Sequence, residues 1–291
     1  MTLKSNNRAI LLIIVVLSTA LSSCNKNDDM NSCCSAGENA ITYTHTGQDR
    51  EYLLYLPENL PANAPLVFVL HGSDQQAEHA YNNFGFNQVA DTAKFAVCYP
   101  QGTDCFWRED DLNSPDINFL KSLAQFLQSE HNLSIDRTFA TGFSAGGGMS
   151  YLLALEANDV FKAIAPVAGG IVENVWNDKN PQLAIPVFTI HGTADQIVPI
   201  NGGGKGNLEP VQNVVDYFKT FNNCTTSSTI QFTSSTSATY HLNPTNNNEV
   251  WYYRITGQDH IFPGDTDPEV SQQDIAGFNG AAEIWSFFRR W

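Results

Sequence analysis

The pentapeptide Gly142-Phe143-Ser144-Ala145-Gly146 sets a serine between two glycines. Glycines at those places let neighbouring main chain pack close, so a sharp turn can lift the hydroxyl clear of its own backbone. Ser144 is therefore a candidate nucleophile. A serine hydroxyl attacks a carbonyl carbon only when a base removes its proton, and an imidazole base needs a carboxylate to fix its tautomer and balance its charge. Downstream, His191-Gly192-Thr193-Ala194-Asp195-Gln196-Ile197-Val198-Pro199 offers Asp195, and Gly257-Gln258-Asp259-His260-Ile261-Phe262-Pro263-Gly264 offers His260. The order serine, acid, histidine is the one that accompanies a serine on a strand-to-helix turn. Asp259 is set aside as the acid, because adjacent side chains in an extended loop point apart. His241 is set aside as the base, since its surroundings read as a polar loop rich in Ser, Thr and Asn.

Attack on a carbonyl also leaves a negative oxygen that backbone amides must hold. One donor is the amide of Ala145, at the start of the helix behind the nucleophile. The other is expected at His71-Gly72-Ser73, with the Ser73 amide preferred. His71 and His191 read as structural residues that order these loops.

These groups need a frame. Leu66 to Leu70 is a continuous apolar run of the kind found in a strand buried on both faces. Similar runs recur at Phe95 to Tyr99, Thr138 to Thr141, Ala163 to Ala168 and Val187 to Ile190, with a further strand at Val250 to Ile255. Helical patterns fall at Ile117 to Glu130, Ala145 to Ala157, Val211 to Phe221 and Ala281 to Arg290, and a hairpin of Ile41 to Thr46 with Glu51 to Leu56 opens the series. Buried strands alternating with helices predict an α/β fold, with a mostly parallel sheet covered by helices on both faces. Such a sheet places functional residues on loops at the carboxyl ends of its strands. Ser144, Asp195 and His260 each follow a predicted strand.

The chain has 291 residues, 42% of them hydrophobic, enough for one large core. Met1 to Ser23 reads as a signal peptide: Lys4 and Arg8, an apolar run from Ala9 to Leu21, then small residues before Cys24. Leu21-Ser22-Ser23-Cys24 resembles the lipobox of bacterial lipoproteins, which implies lipidation of Cys24. Residues 24–39 read as a tether and 40–291 as the catalytic domain. The expectation is a secreted protein, lipid-anchored to the bacterial outer membrane or cell surface. Loss of the leader leaves 13 basic against 30 acidic residues, a formal charge of −17. A chain so acidic does not suit nucleic acid. Cys98 lies in an apolar run and is expected in the core, whereas Cys33 or Cys34 is expected to bridge to Cys105 or Cys224.

From Glu51 onward the chain resembles the polyhydroxybutyrate depolymerase, acetylxylan and feruloyl esterase group of secreted α/β-hydrolases. The resemblance rests, in order, on Leu70-His71-Gly72, Tyr99-Pro100-Gln101-Gly102, Gly142 to Gly147, His191 to Asp195 with Val198-Pro199, Gly202-Gly203, and His260 followed by Phe262-Pro263-Gly264. It implies an α/β-hydrolase fold and an acyl-serine mechanism on exposed ester bonds, without metal or organic cofactor. Ser73 stands where many members carry Cys, which implies a different disulfide arrangement. Phe262 in place of Trp, and Gln258-Asp259 in place of small residues, imply an altered pocket wall.

Phe106, Trp107 and Phe262 fall on loops at the catalytic end, where they either line a substrate cleft or cover the edge of the core. The expected substrate is an ester, either a feruloyl or acetyl group on plant polysaccharide or an aliphatic polyester. A non-catalytic binding protein and a peptidase are the other readings that the sequence leaves open.

Overall fold

The computed structural model describes Cys34–Trp291 apart from Pro244 and Asn246. The expected leader, the Cys24 lipidation site and the tether as far as Cys33 lie outside the described residues. Ten strands run β1 (Ile41–His45), β2 (Gln48–Tyr55), β3 (Ala64–Leu70), β4 (Ala96–Pro100), β5 (Leu133–Phe143), β6 (Ala163–Val167), β7 (Val187–Gly192), β8 (Thr226–Gln231), β9 (Thr236–Leu242) and β10 (Val250–Ile255). The helices are α1 (Ala77–Asn83), α2 (Phe86–Ala93), α3 (Pro115–Glu130), α4 (Ala145–Glu156), α5 (Glu173–Asp178), α6 (Val211–Phe221), α7 (Pro268–Ser271) and α8 (Gly280–Phe288).

All the strands join one sheet in the order β1-β2-β4-β3-β5-β6-β7-β10-β9-β8. The stretch from β4 to β10 is parallel throughout, and antiparallel strands close both edges. Alternation along β3 shows how the sheet is buried on two sides. Leu66, Phe68 and Leu70 pack into one core with α3, α4 and α6, while Val67 and Val69 face a second core with α1, α2 and α8. The mostly parallel sheet with helices on both faces predicted from the alternating runs is the sheet observed.

Local signals account for the helix ends. Pro115 begins α3, where a missing N–H costs nothing, and the Ser114 hydroxyl accepts from the Asp116 amide at 3.3 Å. Ile117, Leu120, Leu123, Ala124 and Leu127 then repeat at three- and four-residue spacing and are buried. At α8 the Asn279 side chain accepts from Ala282 N at 2.9 Å.

The segment around His241 differs from the polar loop read in the sequence. It forms the β8–β9 hairpin, in which His241 is a buried strand residue whose Nδ1 lies 2.6 Å from Ser227 Oγ. Every residue of β8 is exposed, so no alternation of apolar and polar residues marked it as a strand.

Cys34 bonds to Cys105, across a sequence separation of 71, and Cys98 is buried as a free thiol. Part of the span read as tether is held on the body. Ala36 is buried, and both its amide and the Ser35 hydroxyl donate to Glu51, at 2.7 and 2.8 Å.

Candidate active site

Ser144 stands between β5 and α4 with φ 56° and ψ −118°, a backbone conformation that residues with a side chain rarely adopt. Ser144 N donates to Val167 O and Gly148 N donates to Ser144 O, both at 3.0 Å, which fixes the turn from both sides. The flanking glycines are sterically required. A Cβ on Gly142 would lie 2.4 Å from the carbonyl of Gly146, and one on Gly146 would lie 2.4 Å from Leu70 O.

Asp195 and His260 follow β7 and β10, which are neighbours in the sheet although 65 residues separate the two side chains in sequence. His260 Nδ1 lies 2.7 Å from Asp195 Oδ2. The other carboxylate oxygen accepts from the amides of Ile197 and Val198, at 2.9 and 2.8 Å. Burial pushes the Asp195 carboxyl up, but the hydrogen bond and charge of His260, the Val198 amide and His191 outweigh it and hold the group below the usual carboxylate range. The His260 ring packs on Phe143, the residue before Ser144, with centroids 4.7 Å apart. The structure thus brings the loops carrying Ser144, Asp195 and His260 to the same end of the sheet.

Ser144 opens into a cleft of about 490 Å³ that is also lined by Ser73, Ala145, Gly148, Phe106 and Trp107. The Ala145 amide sits in the first turn of α4, where a helix has no acceptor of its own for it. On the opposite wall Gly72 N donates to Gln75 Oε1 at 2.9 Å and Asp74 N to Cys105 O at 3.0 Å. The Ser73 amide between them donates to no acceptor among the described residues. Ser73 and Ala145, the two residues picked from the sequence, both line the cleft with the serine.

His71 holds this wall in place. Its Nδ1 lies 2.7 Å from Gly72 O, and its Nε2 accepts from Gly102 N at 2.9 Å. Only the neutral ring with its proton on Nδ1 makes both bonds. Burial pushes the His71 pKa down to about 4. As pH falls below 6.5 the unfolded chain takes up this proton and the folded one does not, so the stability present at neutral pH is lost progressively toward pH 4. That loss is expected to reach about 3 kcal/mol. Urea denaturation at pH 7.5 and 4.5 checks it: the wild-type decline should exceed that of His71→Gln, and equal declines would refute the assignment.

His191 plays the loop-ordering part read in the sequence. Its Nε2 lies 2.8 Å from Val198 O, across the turn that cradles Asp195.

Of the three aromatic residues, Phe106 and Trp107 line the cleft and Phe262 does not. Trp107 is only 3% exposed and donates from Nε1 to His71 O at 3.0 Å, so it serves as wall and brace together. Phe262 is fully buried and stacks on Phe84 at a centroid distance of 4.2 Å, which places it in the core beneath the base loop. The replacements before the histidine likewise leave the cleft wall untouched. Gln258 is buried: its backbone carbonyl accepts from Ala194 N at 2.9 Å and its Oε1 from Ile275 N at 2.8 Å, tying the His260 loop to the Asp195 loop. Asp259 is exposed, and its carboxylate accepts from His260 N at 2.8 Å. Sequence reasoning missed this role for Gln258, and it missed Glu109, which also lines the cleft.

The family model described as Esterase PHB depolymerase matches residues 50–178, and that of the Prolyl oligopeptidase family matches residues 116–278. The chain is 33% identical over 204 residues to probable feruloyl esterase C of Aspergillus oryzae, covering 67% of this chain and 72% of that one. It is 30% identical over 152 residues to a bifunctional acetylxylan esterase/xylanase of Neocallimastix patriciarum, covering 52% of this chain and only 22% of that longer protein. The fold is similar to that of the acetyl xylan esterase from Aspergillus awamori, with a TM-score of 0.57 at 14% identity, covering 77% of this chain and 94% of that one. The chain belongs to the polyhydroxybutyrate depolymerase, feruloyl and acetylxylan esterase group of α/β-hydrolases, and it is a carboxylic ester hydrolase.

Proposed function

We propose that Ser144 is the nucleophile, His260 the general base and Asp195 the acid that orients it, with the amides of Ser73 and Ala145 as the oxyanion hole. The observation that carries this reading is the 2.7 Å contact of His260 with Asp195 on loops that end beside the Ser144 turn. In the proposed reaction His260 Nε2 takes the Ser144 proton as the hydroxyl attacks the ester carbonyl, and the two amides hold the oxygen that becomes negative. The alcohol departs with that proton, and water then attacks the acyl-serine by the same route. Labelling by a fluorophosphonate probe, lost in Ser144→Ala, tests the assignment. A wild-type protein that takes up no probe would be the non-catalytic binding form of the fold.

For the substrate we propose feruloyl or acetyl groups on plant polysaccharide. The similarity to probable feruloyl esterase C and to the bifunctional acetylxylan esterase/xylanase supports this class, and the cleft's Phe106 and Trp107 suit an aromatic group. The match to the Esterase PHB depolymerase model favours a second reading, hydrolysis of an aliphatic polyester. Initial rates on methyl ferulate, acetylated xylan and polyhydroxybutyrate film, measured side by side, separate the two. The faster turnover should be on the polysaccharide-type esters, and preferential release of hydroxyacid from the film would replace the first reading with the second.

We further propose that the protein is exported and held at the bacterial surface through lipid on Cys24, on the strength of the lipobox-like Leu21-Ser22-Ser23-Cys24. Metabolic labelling with an alkyne palmitate analogue, compared in wild type and Cys24→Ser, tests it. Among the described residues no helix is long and apolar enough to cross a membrane.

A further inference from the structure

The wall of the cleft beyond Ser144 carries a carboxyl that the reaction does not use. Glu109 lines the cleft, and its aliphatic stem leans on Gly148: a Cβ added there would lie 3.0 Å from Glu109 Cγ. Gly148 stands four residues after Ser144, the N-cap of α4, so Glu109 flanks the helix about 6 Å further along its axis. No other described residue gives the Glu109 carboxyl a hydrogen bond or an ion pair closer than 4 Å. A partly buried carboxyl that bonds only to its own amide loses hydration that no neighbouring side chain replaces, which marks a place where a ligand completes the bonding.

The geometry also says which half of an ester reaches it. The leaving alcohol must take its proton from His260, and His260 does not line this cleft, whereas Ser144, Ser73 and Ala145 do. The cleft therefore holds the acyl half. Its aromatic and apolar lining, Phe106, Trp107, Val172, Val198 and Leu208, is shared with Glu109, which flanks α4 beyond the serine at Gly148.

We propose that Glu109 is the specificity-determining residue of the acyl pocket, and that its carboxyl accepts a hydrogen bond from a phenolic hydroxyl at the remote end of an arylacrylic acyl group. This rests on Ser144 being the nucleophile. It deepens that reading by assigning the pocket a long, hydroxylated acyl group in preference to an acetyl or a short hydroxyacyl group. Burial pushes the Glu109 carboxyl up to about 7; its own amide and Lys205 act against that, and Asp110 and Asp116 add to it. Arg108 and Lys205 are the cations on the cleft wall, and Asp110 is the other carboxylate there. Near neutral pH Glu109 changes from an acid that can donate to a methoxy oxygen into a carboxylate that can only accept.

The test compares methyl 4-hydroxycinnamate, methyl 4-methoxycinnamate and methyl cinnamate as ratios of kcat/KM within one enzyme, so that any general loss of activity cancels. Wild type should prefer the hydroxylated ester over methyl cinnamate by about tenfold or more, the worth of a hydrogen bond to a charged group. Glu109→Leu should bring that ratio close to one. The hydroxy-to-methoxy ratio should rise between pH 6 and 8 in wild type and stay flat in Glu109→Gln, a readout that survives if the Leu variant fails to fold. A wild-type ratio near one, a preference kept in Glu109→Leu, or a rise kept in Glu109→Gln would each overturn the inference. With fluorophosphonate labelling intact, such a result sinks the Glu109 role alone; without labelling, the Ser144 reading falls first and takes this one with it.

Discussion

Ser144→Ala is expected to lower kcat/KM for p-nitrophenyl acetate by at least about 10⁴-fold, because removing a triad serine elsewhere costs on the order of 10⁶ in kcat. The substitution leaves the Cβ in place, and the two backbone bonds that fix the turn, Ser144 N to Val167 O and Gly148 N to Ser144 O, involve no side-chain atom. Folding should therefore be preserved, with a circular dichroism spectrum and a thermal midpoint close to those of wild type. What survives is the oxyanion hole and the cleft, which alone still speed attack by water over the uncatalysed rate. A variant that is well folded and keeps more than a tenth of wild-type turnover would remove Ser144 from the reaction.

Asp195→Asn should be nearly as damaging, lowering kcat about 10⁴-fold at neutral pH. The wild-type carboxylate accepts on both sides, from the Ile197 and Val198 amides on Oδ1 and from the His260 ring on Oδ2. An asparagine keeps its carbonyl oxygen toward the two amides and so turns its NH₂ toward His260 Nδ1. The ring must then accept on Nδ1 and carry its proton on Nε2, where it can take none from a serine. Stopped-flow acylation with p-nitrophenyl acetate measures this step directly. A loss below tenfold would mean that another carboxylate orients the base; Asp259 fails as that substitute on geometry, since it is exposed and bonds to the His260 backbone.

The folded-state pKa of Asp195 adds an acid limit. Because it lies below the ordinary carboxylate value, the stability that Asp195 contributes is complete above the unfolded pKa and is lost as pH falls through the folded one. The His71 loss begins at higher pH, from 6.5 downward. The oxyanion wall should consequently weaken on acidification before the triad carboxylate is protonated.

Much of the site could be read from sequence, because the turn chemistry is local. A Cβ on Gly142 or Gly146 would lie 2.4 Å from neighbouring main chain, so only glycine fits those positions and the turn at Ser144 is written in five consecutive residues. Asp195 and His260 could be placed because each follows a run of apolar strand residues. The features that escaped depend on contacts distant in sequence. Phe262 reads as a cleft aromatic by analogy of position, yet its ring finds Phe84 and joins the core. Gln258 looks like a polar loop residue, and only the fold brings it to Ala194 and Ile275. Glu109 sits in a charged, aperiodic loop where sequence gives no hint that one of several carboxylates is turned toward α4. The β8–β9 hairpin escaped for the opposite reason: its serines and threonines suit a strand, but an outer strand with no buried face leaves no alternating pattern to find.

The bond between Cys34 and Cys105 encloses β1 through β4 in one covalent ring, with His71 and Ser73 inside it and Ser144, Asp195 and His260 outside. A protease cutting in the exposed residues 61–63 between β2 and β3 would sever the peptide without releasing either piece. Nicked enzyme would then migrate as a single species until a reductant frees the amino-terminal fragment, separating β1 and β2 from the loop that carries Ser73, the proposed oxyanion donor.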